Sequence, residues 1–368
     1  MDRILNIAID SRILSHPKCG IGRYTTSIVR ELAARHSPHR IFLYSHQAFT
    51  TSFPIPAHWK IRTGNVRRQG LSTAFTQLFY PVWAVLDKID VFWAPMPHLP
   101  VFMPPRIRKV ITVHDMVVKR FPETMTRGTR LLESSLTPLS FRIADHLIAV
   151  SRFTLSEVLA FFPGMESKIE VVHLASSINT RECTVPCPIA RSYFLFVGSY
   201  EPRKNLERTM AAYVQYRKSS RSPIDFVVAG SDQWGSFSVE EFIRTNNLQE
   251  CVHVIRHPDD DVLAALYANA RALVLVSLYE GFGLPLVEAM QCGTPLIASN
   301  TSAVAEVAGN AALVVNPLDT DSIAQAFKQM TEDENTCSLL AHNAKIRSRE
   351  FSWSKTASET LTILSQEG

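Results

Sequence analysis

Runs of β-branched and aliphatic residues alternate with segments of helical periodicity along the first half of the chain. The predicted strands are ILNIAI, RIFLYS, VFWAP, KVITVHD and HLIAVS, and the predicted helices are TTSIVRELAARH and SRFTLSEVLAFF. Continuous apolar runs are typical of strands that are buried on both faces. Their alternation with helices predicts a parallel sheet covered by helices.

The alternation stops in the stretch SSINTRECTVPCPIARS, which has no hydrophobic period and contains two prolines. It restarts with the predicted strands YFLFVGS, FVVAGS, VHVIR, ALVLVS, PLIAS and ALVVN and the predicted helices LERTMAAYVQYRKS and DVLAALYANA. Because 368 residues exceed the usual size of one hydrophobic core, the sequence predicts an α/β fold of two Rossmann-like domains. We expect an N-terminal domain at 1–182, a linker at 183–192, a C-terminal domain at 193–350, and a last helix within 351–368 that packs back on the first domain.

Composition excludes some classes of protein. Apolar residues make up 46% of the chain and charged residues 20%, values that are typical of a folded globular protein. The formal net charge of +4 suits an anionic substrate or membrane surface, but it is too small to predict a nucleic-acid partner. No stretch approaches 18 apolar residues, so we expect any membrane contact to be peripheral.

The cysteines and the N-terminus indicate where the protein resides. Six cysteines in a chain of this length do not form a disulfide framework, which indicates a reducing compartment. The run MDRILNIAIDSR is typical of a first strand and lacks the apolar segment of a signal peptide. We therefore expect a cytoplasmic protein, with any membrane contact on the inner face of the cell membrane. Cys183 and Cys187 are close in sequence, but no second pair at zinc spacing accompanies them.

The segment EGFGLPLVEAM carries the strongest chemical signal. It follows the strand ALVLVS, with Pro285 in the first turn of a predicted helix and Gly293 just past its end. The N–H groups of Gly283 and its neighbours, together with the helix dipole, form a site suited to a diphosphate. Glu280 and Glu288 are then expected at opposite ends of one ligand. The alternative is that Glu280 caps the helix and Glu288 is a solvated helix residue.

This segment resembles the signature of glycosyltransferase family 4, of the GT-B fold, which has two glutamates separated by seven residues. The resemblance covers nearly the whole chain and is strongest from Tyr193 to Pro317. It implies a nucleotide-sugar donor, retention of anomeric configuration and an active site in the cleft between the domains. By analogy, Glu280 contacts the donor sugar and Glu288 the ribose hydroxyls.

Two adjacent cations, Arg203 and Lys204, follow the first strand of the second domain. At the carboxyl edge of the sheet they can neutralise the charge on a departing nucleoside diphosphate, although a solvated basic turn is the alternative. The family places phosphate-binding residues at this position. Asn205 is expected to cap the next helix. The full predicted donor-binding set is Gly20, Gly22, Ser199, Arg203, Lys204, Ile255, Arg256, Glu280, Gly281, Phe282, Gly283, Leu284 and Glu288.

The first domain contributes a glycine-containing loop and a strand-end histidine. In HPKCGIGRYTTSIV, Gly20 and Gly22 open a helix, and the equivalent loop of the family borders the catalytic cleft. KVITVHD ends at His114 and Asp115. A lone His at a strand end is more often structural, but the resemblance implies that His114 reaches the donor sugar and that Asp115 orients it. His98, after VFWAPMP, is a candidate for the acceptor site, together with Asp115.

No metal or other cofactor is expected. His253 and His257 are four residues apart, but they span a strand end and a loop rather than one helix face. Their stretch lies beside the nucleotide base in the family, so the backbone near Ile255 and Arg256 is expected to read the base. The runs at 259–261 and 319–321 fit the DxD pattern of metal-dependent glycosyltransferases, but they lie at helix starts, where Asp is favoured as a cap.

Two further stretches leave alternatives open. RRQGLSTAFTQLFYPVWAVLDK, with Arg67 and Arg68 at its start, predicts either a helix buried in the first domain or a surface that faces a membrane or a lipid acceptor. Both can hold at once. VVHLASSIN stands where many family members have an Asn-Gly-Val-Asp run, so any role of that run is in doubt in this chain.

Together these features predict a retaining glycosyltransferase that moves a hexose, with mannose from GDP-mannose as the expected donor, to a polysaccharide or a lipid-linked glycan such as O-antigen. The expected catalytic residues are His114, Glu280, Arg203 and Lys204. The alternatives are a noncatalytic nucleotide-sugar-binding protein, and an epimerase or phosphorylase on the same fold.

Overall fold

A computed structural model of the chain describes residues 3–16, 19–35, 37–66, 69–178, 185–231 and 237–366. It confirms the predicted α/β fold, with two sheets in which the paired strands are parallel. The strands are β1 (Asn6–Asp10), β2 (Arg40–Ser45), β3 (Lys60–Thr63), β4 (Val91–Ala94), β5 (Arg108–Val113), β6 (His146–Ala149), β7 (Ile169–Val171), β8 (Tyr193–Ser199), β9 (Asp225–Ser231), β10 (Val252–Arg256), β11 (Ala272–Leu275), β12 (Leu296–Ser299) and β13 (Ala312–Val315). The helices are α1 (Gly20–Ala34), α2 (Gln69–Leu86), α3 (Val117–Arg120), α4 (Arg127–Ile143), α5 (Arg152–Phe161), α6 (Leu206–Ser219), α7 (Val239–Thr245), α8 (Asp260–Asn269), α9 (Leu284–Cys292), α10 (Ser302–Ala308), α11 (Thr320–Glu332), α12 (Glu334–Ser348) and α13 (Trp353–Ser365).

The first compact unit comprises Met1–Leu174 together with Trp353–Gly368. Over the described residues its sheet has the strand order β3-β2-β1-β4-β5-β6-β7. The order reverses between β1 and β4, and in open parallel sheets ligands typically bind at the carboxyl ends of the strands beside such a reversal. The side chains of its core include Phe42, Tyr44, Tyr80, Phe92, Ile111, Phe141 and Leu147.

The second compact unit is Ala175–Ser352. Over the described residues its sheet has the order β10-β9-β8-β11-β12-β13, so this sheet reverses between β8 and β11. Buried side chains of the strands and of the covering helices form its core, among them Phe194, Tyr213, Tyr216, Phe226, Val274, Ile297 and Phe327. The carboxyl ends of β8 and β11 are therefore the expected ligand-binding edge of this unit.

The last helix, α13, belongs to the first unit and packs against α1. Arg35 Nη2 donates to the carbonyl of Ser354 at 2.5 Å. Near the other end of the helix, Arg108 Nη1 donates to the carbonyl of Ile363 at 2.6 Å. The chain thus returns to its first sheet after it has completed the second.

Some boundaries differ from those that the sequence predicts. The edge strands β3 and β7 are not predicted, because they have only four and three residues and carry no apolar run. α1 begins at Gly20 rather than at Thr25, because Cys19 caps it: the sulfur accepts from the N–H of Gly22 at 3.3 Å. Gly20 and Gly22 therefore open a helix, as predicted, but they lie within its first turn rather than in the loop before it.

No helix within the described ranges is both long and apolar enough to cross a bilayer. Three residues that the sequence singles out, Arg67, Arg68 and Cys183, lie outside those ranges.

Candidate active site

A buried carboxylate, that of Glu280, lies in the loop after β11 and is held by two cations and a hydroxyl. Lys204 Nζ lies 2.5 Å from Oε1, and Arg203 Nη1 lies 3.2 Å from Oε2. Ser277 Oγ donates a hydrogen bond of 2.9 Å to Oε1. The side chains of Glu280 and Lys204 are only 7% and 11% exposed. This buried ion pair excludes both a helix-capping acid and a solvated basic turn.

Sheet topology explains why residues about 76 positions apart in sequence meet. β8 and β11 are neighbours at the reversal of the second sheet, so the loops that follow them share one edge. The two loops are tied by their backbones, since the N–H of Leu278 donates to the carbonyl of Arg203 at 2.8 Å. Arg203 and Lys204 themselves lie in a short 3₁₀ turn, Pro202–Lys204.

Asn205 has a different role from the predicted one. It occupies the N-cap position of α6 with a φ of 59°, but its side chain makes no capping bond. Its amide instead donates to the carbonyls of Val276 at 3.0 Å and Pro317 at 2.7 Å. Buried carbonyls need donors, and here that tertiary requirement overrides the local capping preference. Asn205 therefore ties together the loops that follow β8, β11 and β13.

The charges around Glu280 are balanced. Burial by itself would raise the pKa of Glu280, but the positive charges of Lys204 and Arg203 outweigh it and hold the pKa below its usual value. Arg203 Nε also lies 2.7 Å from Oε2 of Glu201. The other carboxylate oxygen of Glu201, Oε1, accepts from the hydroxyl of Ser199. Two cations and two carboxylates thus form a preorganised cluster in which Glu280 is ionised at neutral pH.

The helix after this loop has the predicted bounds. α9 begins at Leu284 with Pro285 in its first turn, and Gly293 is its C-cap. Gly283 occupies the N-cap with a φ of 91°, a conformation that costs glycine little and strains other residues. In the first turn Pro285 has no N–H, and the N–H of Leu286 donates to the carbonyl of Gly283 at 3.0 Å. The helix dipole and the N–H groups of Gly283 and Leu284 are therefore the groups suited to hold an anion.

Glu288 is buried on α9, so the alternative of a solvated helix residue is wrong. Its Oε2 accepts a hydrogen bond of 2.7 Å from the hydroxyl of Tyr267 on α8. The carbonyl of Tyr267 in turn accepts from Thr294 Oγ1 at 2.6 Å, just beyond the end of α9. The neighbouring helix thereby orients this carboxylate.

The remaining predicted donor residues of the second unit lie at the same edge or along it. Gly281 and Phe282 are buried in the loop before α9, where the Phe282 ring packs edge-on against Phe351 with centroids 5.9 Å apart. Ile255 and Arg256 end β10, two strands from β8 on the far side of β9. The carboxyl edge of this sheet therefore runs from Arg256 to the loop that contains Glu280.

In the first unit, His114 follows β5 and has one fixed tautomer. Its Nε2 lies 2.9 Å from the carbonyl oxygen of Pro95, and its ring packs edge-on against Tyr24 with centroids 5.0 Å apart. Burial lowers the pKa of His114 to about 4, although the hydrogen bond to Pro95 acts in the opposite direction. A carbonyl only accepts, so Nε2 carries the proton of the neutral ring and Nδ1 carries the lone pair.

The other candidates of the first unit are near the carboxyl ends of neighbouring strands. His98 follows β4, and its Nε2 lies 3.1 Å from a carboxylate oxygen of Glu133 on α4. Asp115 accepts from the N–H of Val117 at 3.0 Å, where α3 begins. Gly20 is in the first turn of α1, and a Cβ atom built there would meet nothing within 4 Å.

The acidic runs cap helices, as predicted. Asp259 accepts from a first-turn N–H of α8 at 2.8 Å, and Asp319 accepts from that of Asp321 at 3.0 Å. His253 is held by Asp225, with Nε2 2.9 Å from Oδ2. Among the described residues, no group of three or more His, Cys, Asp or Glu side chains is placed to hold a metal ion.

Four residues around these groups are not predicted from the sequence: Tyr24, Glu201, Tyr267 and Ser277. Tyr267 occupies an apolar position of its helix, yet a buried tyrosine hydroxyl needs a partner, and that requirement is a readable signal. Ser277 follows a run of five apolar residues, ALVLV, which predicts that it lies at the carboxyl end of a strand, where polar side chains reach ligands. Nothing local in the sequence distinguishes Tyr24 or Glu201.

Comparison with known proteins covers both units. A family model described as Glycosyl transferases group 1 matches residues 189–347, and one described as Glycosyltransferase Family 4 matches residues 19–175. Together with the two parallel sheets, these matches define the protein as a glycosyltransferase. The chain belongs to glycosyltransferase family 4.

A relative and two solved structures resemble the chain over nearly its full length. The O-antigen chain mannosyltransferase B of Escherichia coli is 28% identical over 380 residues, covering 97% of this chain and 98% of the relative. Anabaena Alr3699/HepE, in complex with UDP and glucose, has a TM-score of 0.74 at 18% identity and covers 98% of this chain and 99% of its own. WaaG, a glycosyltransferase involved in lipopolysaccharide biosynthesis, has a TM-score of 0.73 at 15% identity over 99% and 100%. The two structures share the GT-B fold with this chain.

Proposed function

We propose that this glycosyltransferase moves mannose from GDP-mannose, with retention of configuration, to a growing polysaccharide or a lipid-linked glycan such as O-antigen. One structural observation carries the proposal: Lys204 and Arg203 hold the buried Glu280 at the strand reversal of the second sheet. The full-length similarity to an O-antigen mannosyltransferase supports mannose as the sugar.

The two cations suit a departing diphosphate. Stabilisation of charge on a leaving group requires donors that are already oriented, and Lys204 and Arg203 are oriented by their bonds to Glu280. In the proposed complex, the diphosphate takes up part of their hydrogen bonding, and the Glu280 carboxylate holds the sugar. In the proposed retaining reaction, the leaving phosphate helps to deprotonate the acceptor. The protein then has to position the donor and the acceptor and stabilise the developing charge, and it does not need a separate base.

His114 and Glu288 complete the proposed donor contacts. The Nδ1 lone pair of neutral His114 can accept a hydrogen bond from a sugar hydroxyl, because Nε2–H is engaged with the carbonyl of Pro95. The carboxylate of Glu288, oriented by Tyr267, would accept the ribose hydroxyls. Both roles are recognition of hydroxyl groups by acceptors, which neutral imidazole and carboxylate supply.

The nucleotide base, the metal requirement and the cellular location belong to the same proposal. The backbone at Ile255 and Arg256 would contact the base, and guanine is the base that follows from the mannose assignment. Because Arg203 and Lys204 supply the positive charge, we propose turnover without a divalent ion. A cytoplasmic location is supported by the five described cysteines, which are free thiols.

The test offers the full-length protein a panel of GDP- and UDP-sugars with glycan and lipid-linked acceptors, in the presence and absence of EDTA. The expected result is acceptor-dependent release of GDP from GDP-mannose, unaffected by EDTA. NMR of the product should show the anomeric configuration of the donor. Turnover of a UDP-sugar in place of GDP-mannose would overturn the donor assignment but not the class.

Three other outcomes separate the alternatives. Donor binding without any turnover would indicate a noncatalytic nucleotide-sugar-binding protein. Release of a free sugar phosphate or an epimerised donor would indicate a phosphorylase or an epimerase. Inversion of the anomeric configuration would reject the retaining mechanism while leaving the transferase class in place.

A further inference from the structure

Tyr24 lies one turn into α1 and packs against the imidazole of His114. The two rings are nearly perpendicular, with an interplanar angle of 80° and centroids 5.0 Å apart. Only 1% of Tyr24 is exposed, so its own atoms do not reach a substrate. Any part that Tyr24 takes in the reaction must therefore act through a neighbouring side chain.

The imidazole of His114 needs a second restraint besides its hydrogen bond. Nε2 donates to the carbonyl of Pro95 at 2.9 Å, which fixes one corner of the ring. A single hydrogen bond leaves the ring plane free to rock about that bond, because the χ2 torsion of histidine is broad. The perpendicular ring of Tyr24 restricts this motion. The direction of the Nδ1 lone pair thus depends on both contacts.

The hydroxyl of Tyr24 is anchored on the strand that leads to His114. It lies 3.1 Å from Oγ1 of Thr112, and the same Oγ1 accepts from Nε1 of Trp93 at 3.0 Å. Thr112 is fully buried on β5, two residues before His114. One tyrosine therefore contacts Thr112 through its hydroxyl and His114 through its ring.

Two tryptophans support the Tyr24 ring from other elements. Trp93 of β4 packs edge-on against it with centroids 6.1 Å apart, and Trp353 lies at the same distance with an interplanar angle of 52°. Aromatic pairs favour such tilted and perpendicular arrangements. Trp353 begins α13, the last helix, which packs against α1 in the same unit. The return of the chain to the first unit therefore adds a support behind Tyr24.

The role of Tyr24 is geometric and not that of an acid or a base. Burial raises the pKa of its hydroxyl above the ordinary value, so the phenol stays neutral in the physiological range. What the buried hydroxyl provides is a fixed bond to Thr112, and what the ring provides is a surface against which His114 rests.

We propose that Tyr24 is a positioning residue for the transfer reaction: anchored on Thr112, its ring holds the imidazole of His114 so that Nδ1 is directed at a hydroxyl of the transferred sugar. The proposal rests on the role of His114 in the proposed function. It adds the group that determines the orientation of the imidazole, and it gives α13 a part in that orientation through Trp353.

NMR relaxation of isotope-labelled histidines tests the orientation without an activity readout. The signals of His114 are assigned by their absence from His114→Ala. In wild type the imidazole C–H bonds should have order parameters of about 0.85, and in Tyr24→Leu they should fall below about 0.6. The tautomer with the proton on Nε2 should persist, since the bond to Pro95 remains. Tyr24→Phe keeps the ring and should keep the imidazole rigid.

Kinetics separate positioning from damage to the fold. Tyr24→Leu should lower kcat for GDP-mannose about tenfold to a hundredfold, the loss expected when a contact near the reacting bond is misplaced. KM for the donor should change less than about threefold, because the proposed ribose and diphosphate contacts remain. In the His114→Ala background the same substitution should cost less than about twofold, since the group that Tyr24 positions is absent. Tyr24→Phe should stay within about threefold of wild type.

Phe141→Leu is the matched control. Phe141 is fully buried in the same unit, and its ring packs edge-on against Phe162 with centroids 5.0 Å apart. The control should lose a similar free energy of unfolding but keep wild-type kcat and a rigid His114. If Tyr24→Leu does not fold, Trp353→Leu replaces it, because this substitution removes a support of the Tyr24 ring and should mobilise His114 in the same way.

The proposal is overturned if His114 stays rigid in Tyr24→Leu, or in Trp353→Leu where that variant replaces it. It is also overturned if Phe141→Leu mobilises His114 equally, or if the loss of kcat is as large without His114 as with it. Wild-type kcat in His114→Ala would instead contradict the role of His114 in the proposed function. That failure is distinguishable, because the order parameters report the support of the imidazole by Tyr24 whether or not His114 acts on the substrate.

Discussion

The hydroxyl of Tyr267 donates a 2.7 Å hydrogen bond to Oε2 of Glu288, so a side chain of α8 orients a buried carboxylate of α9. Tyr267→Phe removes only this hydroxyl and keeps the packing of the ring. If Glu288 binds the donor ribose, the substitution should raise the Kd for GDP-mannose about tenfold, on the order of 1.5 kcal/mol. KM should change more than kcat, because the ribose is remote from the reacting bond. Calorimetric titration and steady-state kinetics measure both.

Tyr213→Phe is the matched control for this substitution. Tyr213 is also a fully buried tyrosine of the second unit, and its hydroxyl donates to the carbonyl of Ile224 at 2.8 Å. It should lose a similar free energy of unfolding without losing donor affinity. Equal donor binding by Tyr267→Phe and wild type would reduce Tyr267 to a structural role.

The ion pair between Lys204 and Glu280 predicts strong coupling between two substitutions. Lys204→Met leaves a buried carboxylate with one fewer cation and should cost about 3–5 kcal/mol in the free energy of unfolding. Lys204→Met/Glu280→Gln should be less destabilised than the sum of the single changes, because the second substitution removes the uncompensated charge. Urea unfolding measures the cycle, and additive effects would contradict a direct pairing.

The same pair gives a pH dependence of known sign. The pKa of Glu280 in the folded protein lies below its ordinary value, so its ionised form contributes stability that is present above about pH 4.5. This contribution is lost as the pH falls through the lowered pKa of the folded state. Glu280→Gln should remove that part of the acid sensitivity, which a series of unfolding curves at decreasing pH will show.

Local signals in the sequence determined what could be predicted of this site. Pro285 and Gly293 mark the ends of α9 because one restricts φ and the other accepts a positive φ, and both act within a single turn. The meeting of Arg203 with Glu280 follows from one further rule, that the carboxyl ends of neighbouring parallel strands share an edge.

Interactions that depend on packing between elements were not predictable in this way. Asn205 has the sequence context of a helix cap, but its side-chain amide donates hydrogen bonds to carbonyls of two loops that are distant in sequence. Tyr267 has the spacing of a core residue, and only the packing of α8 against α9 brings its hydroxyl to Glu288. The pattern of apolar and polar residues along the sequence can predict that such a side chain is buried, but it does not identify the group to which the side chain hydrogen-bonds.

His114 should remain neutral throughout the physiological range. Its pKa of about 4 in the folded protein lies below the ordinary value of 6.5, so the unfolded chain binds the proton first as the pH falls. The histidine therefore contributes stability that is full above about pH 6.5 and is lost between there and about pH 4. The difference in unfolding free energy between wild type and His114→Gln should rise with pH over this window and then level off.

NMR of the imidazole provides an independent check on His114. The ring should show the neutral tautomer with the proton on Nε2 at pH 6, since that nitrogen donates to Pro95. The profile of kcat/KM against pH should show no inflection from this residue between pH 5 and 8. An imidazole that titrates near pH 6.5 would contradict the assignment.

Gly198 and Gly230 lie opposite each other near the ends of β8 and β9, with φ values of 154° and 156°. A Cβ atom at Gly230 would lie 1.9 Å from the carbonyl oxygen of Gly198, whereas the nearest atoms to one at Gly198 would be the aliphatic carbons of Lys204 and the ring of Phe196, all at 3.8 Å. Both alanine substitutions strain the backbone similarly, so their difference isolates the steric clash. Gly230→Ala should therefore be less stable than Gly198→Ala by about 2 kcal/mol or more, because strand backbones cannot shift as a flexible side chain does. Urea unfolding compares the two directly, and equal midpoints at equal m-values would show that the two strand ends do not approach as closely as 1.9 Å implies.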